Sequence, residues 1–224
     1  MVKKKLAAFA TAIGICVLGM AFSPAGALAL DPILFVHGWS GSASNWNTMI
    51  ERFEKDGYPK SYLSAYSYNT SSQSNKVDAE KEVKSHVESL EKATGATKVD
   101  IIAHSMGSLN TRWYIKFVAG GEANVDDWVS LGGPNHGTET ANFCFGTPCT
   151  EMRVGSTFLK ELNAGDETPG TVNYGTWWSP CDEFINPDSS VPLEGASNHE
   201  TACLSHLALL TDETVYKEVR EFVK

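Results

Sequence analysis

The chain has 224 residues, with 18 Lys and Arg against 27 Asp and Glu, a net charge of −9. An acidic balance of this size gives no electrostatic reason to seek nucleic acid or an anionic membrane. Residues 42% hydrophobic and only 20% charged are enough to build a buried core, so a disordered or fibrous chain is excluded.

Lys3, Lys4 and Lys5 open the chain, and an uncharged apolar run follows at 6–22. Pro24 and the small-residue triplets Ala25-Gly26-Ala27 and Ala27-Leu28-Ala29 come next. This is the layout of a secretory signal peptide over 1–29, cleaved on export. A run of about 17 residues is short for a bilayer span of roughly 20, and no later run is apolar enough to span, so no stable membrane insertion is expected. Export leaves 30–224 as one extracellular domain, expected to be monomeric. Cys144, Cys149, Cys181 and Cys203 remain in it, an even number that suits two disulfides in an oxidising compartment. Three pairings are possible. The one expected is Cys144 with Cys149, closing a small loop, and Cys181 with Cys203. No Cys or His spacing suits zinc, so no metal is expected.

Residues 32–36 form a short continuous apolar run, a strand buried on both faces. Trp46, Met49, Ile50 and Phe53 recur at helical spacing within 44–56, with Ser44 to cap the start and Gly57 the end. Residues 62–68 alternate as a strand, and 75–94 form a helix with Val83, Val87 and Leu90 inward and Gly95 as its stop. A strand at 98–103 runs into His104-Ser105, and a helix over 106–118 ends at Gly120-Gly121. The strand at 125–131 ends in Gly132-Gly133-Pro134. Residues 135–170 give mixed signals and are expected to be a long irregular insertion with one helix around Phe158. A strand at 172–178 and a closing helix at 211–223 complete the chain. Strands and helices alternating from end to end imply a mostly parallel sheet covered on both faces, an α/β fold in one domain.

Ala103-His104-Ser105-Met106-Gly107 stands between a strand and a helix. A small residue two before and two after a serine lets the chain turn sharply there and expose the hydroxyl, the nucleophile elbow of α/β-hydrolases. A serine needs a base and an oriented acid to attack a carbonyl near neutral pH, and in this fold they follow in the order Ser, acid, His. His206 is favoured as base, with His199 the other candidate in that order. Asp182, just after the strand at 172–178, is favoured as acid, with Glu183 and Asp188 as alternatives. Val36-His37-Gly38-Trp39 ends the first strand in a glycine loop, which nominates the backbone N–H groups of Trp39 and Met106 as oxyanion donors. His37 is expected to orient that loop. Trp39 and Trp46 could offer apolar surface to an acyl chain, whereas Trp177 and Trp178 suit the core equally well.

Taken together, Val36-His37-Gly38, Ala103-His104-Ser105-Met106-Gly107, the stretch from Ser130 through Gly132-Gly133-Pro134-Asn135-His136-Gly137, and Asp182 with His206 resemble the small secreted bacterial lipases called class-two lipases. The resemblance covers most of 30–224; the alanine in place of the first elbow glycine is a family trait. It implies a compact α/β-hydrolase that cleaves acyl esters through Ser105, Asp182 and His206, with a lipid or ester substrate and no cofactor. The cysteines and the longer segment at 135–170 depart from the smallest members and leave a lid undecided. Alternative functions are a short-chain or polymer esterase, a peptidase or an acyltransferase with the same residues, and an inactive binding homologue.

Overall fold

A computed structural model describes residues 30–223; the expected signal peptide lies outside the described residues. Six strands run parallel in the order β2-β1-β3-β4-β5-β6. They are β1 Ile33–Val36, β2 Leu63–Tyr66, β3 Val99–His104, β4 Val125–Leu131, β5 Asn173–Trp178 and β6 Ser197–Glu200. The helices used below are α1 Asn47–Lys55, α2, α3 Gly107–Phe117, α4 Gly121–Asn124, α5 Thr147–Met152, α6 Thr157–Leu162 and α7 Glu213–Phe222. Here α2 denotes the continuous helical run of Asn75–Asp78, a π turn at Ala79–Val83, and Lys84–Thr94.

Successive side chains of a strand face opposite ways, and β1 shows the consequence. Leu34 and Val36 enter one core with Val83, Val87 and Leu90 of α2 and Leu109 of α3. Ile33 and Phe35 enter the other, with Met49 and Phe53 of α1 and Val215 and Val219 of α7. A strand buried on both sides has no polar face to show, which is why β1 reads as an unbroken apolar run. The parallel order places every strand's C-terminal end along one rim, where ligands bind in open α/β sheets. Asp212 caps α7, its carboxylate accepting the N–H groups of Thr214 at 2.8 Å and Val215 at 3.0 Å, a cap worth ~1 kcal/mol.

Three expectations change. Ser44 is not a cap: it lies inside the 3₁₀ turn Ala43–Trp46, and Ser42 stands at its start, its N–H bonded to Asn45 Oδ1 at 2.7 Å. The insertion at 135–170 is more ordered than its mixed signals suggest, holding α5, α6 and a 3₁₀ turn at Glu139–Phe143. Strand β6 was not expected. Its sequence Ser-Asn-His-Glu has no apolar alternation because it is a largely solvent-facing edge, paired only with β5.

Candidate active site

Ser105 follows β3 and precedes α3 at the strand ends, and its φ is +54°. A side chain in that left-handed region costs roughly 1–2 kcal/mol, so the surrounding packing must enforce it. The Ser105 N–H donates to the Leu131 carbonyl of β4 at 2.9 Å. A Cβ at Gly107 would lie 2.6 Å from the Val36 carbonyl oxygen and 2.7 Å from that of His37. The glycine at 107 is therefore a steric requirement: α3 begins pressed against the end of β1, and the serine is turned outward.

Gly38 closes on the same hydroxyl. A Cβ there would meet Ser105 Cβ at 2.6 Å and its Oγ at 3.1 Å. The Gly38 carbonyl accepts the Gly41 N–H at 3.1 Å and the His37 Nδ1–H at 2.8 Å. In a trans peptide the N–H points opposite to the C=O, so the Trp39 N–H is turned away from those donors. His37 is fully buried and stacks on Tyr68, whose hydroxyl donates to the His37 carbonyl at 2.7 Å. Burial lowers its pKa, leaving a neutral ring that braces the loop.

Asp182 and His206 meet. His206 Nδ1–H donates to Asp182 Oδ2 at 2.7 Å, with both side chains almost wholly buried. The other carboxylate oxygen, Oδ1, accepts the N–H groups of Phe184 at 2.9 Å and Ile185 at 3.0 Å. With Nδ1 carrying the proton, Nε2 is left as a lone pair. The backbone of His206 is pinned on both sides: its N–H donates to Glu183 Oε2 at 2.9 Å, and its carbonyl accepts His104 Nε2–H at 3.1 Å. Burial, reinforced by the neighbouring His206, pushes His104 well below the usual histidine range, so it is a neutral donor. Gly132, at φ +56°, leaves room for this arrangement, since a Cβ there would stand 3.0 Å from Asp182 Oδ2 and 3.2 Å from His206 Nδ1.

Ser105, His104 and His206 line one cleft of about 420 Å³. Trp39 and Gly38 form one side of it; Thr138, Ala141, Phe143 and Met152 from the insertion and Phe184, Ile185 and Leu207 form the rest. The residues from the insertion and from the two loops after β5 and β6 were not expected in the site. Only contact in space brings them there, although the apolar character of Phe143, Phe184 and Leu207 in polar loops is a signal. Trp46 is not available to a substrate: it is fully buried against Phe35, with ring centroids 5.3 Å apart. Trp177 is likewise core, and His199 stacks on it at 4.4 Å. Asp188 starts a 3₁₀ turn at Asp188–Ser190, and its Oδ1 accepts the Ser189 N–H at 2.8 Å.

The family pattern of lipase (class 2) matches residues 30–219. The chain belongs to the class 2 lipases. Its fold is shared with the mature form of Bacillus licheniformis lipase BlEst2, at 17% identity and a TM-score of 0.77, over 88% of this chain and 93% of that one. Aspergillus fumigatus lipase B matches at 18% identity and a TM-score of 0.70, over 84% of this chain and 51% of its own. Legionella pneumophila phospholipase PlaB matches at 13% and 0.71, over 87% and 59%.

In this lipase, Cys144 is bonded to Cys149, and Cys181 to Cys203. Cys181 immediately precedes Asp182, so the second bridge ties the loop after β5 to the loop carrying His206. Ser179 ties them again: its Oγ donates to the Leu204 carbonyl at 2.6 Å and accepts the Leu204 N–H at 2.8 Å. The chain-entropy estimate gives roughly 3 kcal/mol for the longer loop and roughly 2 for the shorter. Cys181→Ser with Cys203→Ser should therefore lower kcat several-fold well below the melting temperature, as Asp182 and His206 lose registration. Cys144→Ser with Cys149→Ser should lower Tm with kcat nearly unchanged. Steady-state kinetics alongside thermal melts separate the two.

Beneath the elbow, Asp78 at the head of the π turn is buried and accepts Asn110 Nδ2–H of α3 at 2.6 Å. Burial, helped by Glu82, raises its carboxyl to about 7. A carboxyl raised in the folded state holds a proton that the unfolded chain releases, so its contribution is lost as pH climbs from about 4 to about 7. Asp78→Asn keeps the acceptor and removes that titration. Its gain in Tm over the parent should be larger at pH 8 than at pH 4, by melts at both values.

At the far rim of the sheet, carboxylate oxygens of Asp31, Asp100 and Asp126 lie within 4.8 Å of one another. Lys98 Nζ already donates to Asp126 at 2.6 Å. The cluster is at the strands' starting ends, remote from Ser105. Among the described residues, no helix is long and apolar enough to cross a membrane.

Proposed function

We propose that this class 2 lipase is a secreted enzyme that hydrolyses carboxylic esters, triacylglycerol among them, through an acyl-enzyme on Ser105. The observation that carries the reading is the convergence on one cleft of the strained Ser105 and an imidazole whose Nδ1–H is held by a buried carboxylate. His206 Nε2 takes the Ser105 proton as Oγ bonds to the ester carbonyl carbon, and Asp182 stabilises the imidazolium that forms. The negative charge moves to the carbonyl oxygen. The N–H groups of Trp39 and Met106 receive it, the second at the N-terminal end of α3, where the helix dipole adds to its pull. The imidazolium returns its proton to the leaving alcohol. Water, deprotonated by His206, then attacks the acyl-enzyme, and His206 returns that proton to Ser105 Oγ as the Oγ–acyl bond breaks and the acid is released.

Secretion is proposed from the leader at 1–29 and from the two disulfides, which persist in oxidising compartments. A series of p-nitrophenyl esters of rising chain length, set beside emulsified triglyceride and a fluorophosphonate probe, tests the reading. Probe labelling with turnover that extends to long acyl chains and to the emulsion is expected. Labelling with turnover confined to acetate and butyrate would replace lipase by short-chain esterase.

A further inference from the structure

We propose that Phe143 and Phe145 dock the enzyme on an uncharged lipid surface. The two rings are 86% and 87% exposed, the most exposed of the large apolar side chains among the described residues. Polar loops rarely hold such rings in water without a partner. The loop that carries them is cross-linked and braced. Cys144, between them, is bonded to Cys149, whose side chain is buried in the core. Arg153 braces the same loop from beneath, its Nε donating to the Ala141 carbonyl at 3.1 Å and its guanidinium NH2 to the Cys144 carbonyl at 3.3 Å. A loop fixed in this way pays little ordering entropy when its rings enter an apolar phase.

The patch is continuous with the cleft. Phe143 lines it, together with Trp39, Phe184 and Leu207, themselves 43%, 44% and 58% exposed. An apolar collar around the cleft that holds Ser105 suits a surface that delivers the substrate, whereas a second copy of the chain would plug the opening. The net charge of −9 selects against an anionic bilayer, so the surface is uncharged or zwitterionic. That choice of occupant rests on the ester-hydrolase reading of the cleft.

Phe145 does not line the cleft, so Phe145→Ser separates docking from chemistry. The measurement is co-sedimentation of the protein with phosphatidylcholine vesicles, with and without added phosphatidylglycerol, alongside turnover of soluble p-nitrophenyl acetate and gel filtration. The parent should bind phosphatidylcholine vesicles and Phe145→Ser about tenfold more weakly, with equal acetate turnover and no gain from phosphatidylglycerol. Binding unchanged by Phe145→Ser, or dependent on phosphatidylglycerol, would overturn the proposal. So would a dimer in gel filtration that Phe145→Ser dissociates. If neither protein turns over the acetate but vesicle binding still depends on Phe145, the ester reading fails while the docking surface stands.

Discussion

Ser105→Ala is expected to abolish fluorophosphonate labelling and to lower ester turnover by about 10⁵-fold or more, as loss of the nucleophile does in other serine hydrolases. The fold should survive. Among the described residues the hydroxyl makes no hydrogen bond that holds the elbow; the Ser105 N–H to Leu131 and the close packing of Gly38 and Gly107 do that, and all are kept. Ser105→Gly adds a second reading of the same site. It is equally inactive, but it accepts φ +54° without a Cβ clash. Relief of the strain, offset by glycine's extra freedom when unfolded, should leave it more stable than Ser105→Ala by up to about 1 kcal/mol. A glycine variant more stable than the alanine one, with both inactive, is the signature of strain held for function. Ser105→Ala with activity within tenfold of the parent would end the elbow reading.

What the sequence showed and what it hid divide along a physical line. The sheet's interior strands and the main helices were legible because burial writes a pattern into the residues, a continuous apolar run in β1 and a helical period in α7. The elbow was legible because its steric demands fall on neighbours in sequence: Ala103 and Gly107 flank Ser105. Strand β6 was hidden because an exposed edge imposes no period, and Trp46 was misjudged because adjacency to the glycine loop does not decide which way a helix turns its rings. The two acids were hardest. Asp182 and Glu183 are adjacent and alike in type, yet one holds the imidazole and the other the backbone N–H of His206. Gly132 was visible as a glycine, but its reason, the space beside the Asp182–His206 bond, exists only in three dimensions.

Asp182→Asn is expected to lower kcat by about 10⁴ with KM little changed, and His206→Ala by at least as much. The amide can still accept the N–H groups of Phe184 and Ile185 through one atom, so the loop stays in place. The atom facing His206 Nδ1 decides the chemistry. If it is the NH2, it donates to Nδ1 and drives the imidazole proton to Nε2, which then cannot take a proton from Ser105. The flipped amide would keep the tautomer, but it would turn its NH2 on the N–H groups of Phe184 and Ile185, lose both bonds, and still lack the negative charge that stabilises the imidazolium. Both routes spare substrate binding and raise the barrier, hence the effect on kcat. Glu183→Gln is the control next door, because a neutral amide oxygen still accepts the His206 N–H and the ring keeps its carboxylate. It should cost no more than about tenfold, a loss of roughly 1.4 kcal/mol. His199→Ala, remote on β6 against Trp177, should leave kcat near that of the parent. A loss in Glu183→Gln as large as in Asp182→Asn would move the acid one residue along the chain. A loss in His199→Ala with none in His206→Ala would move the base to the edge strand.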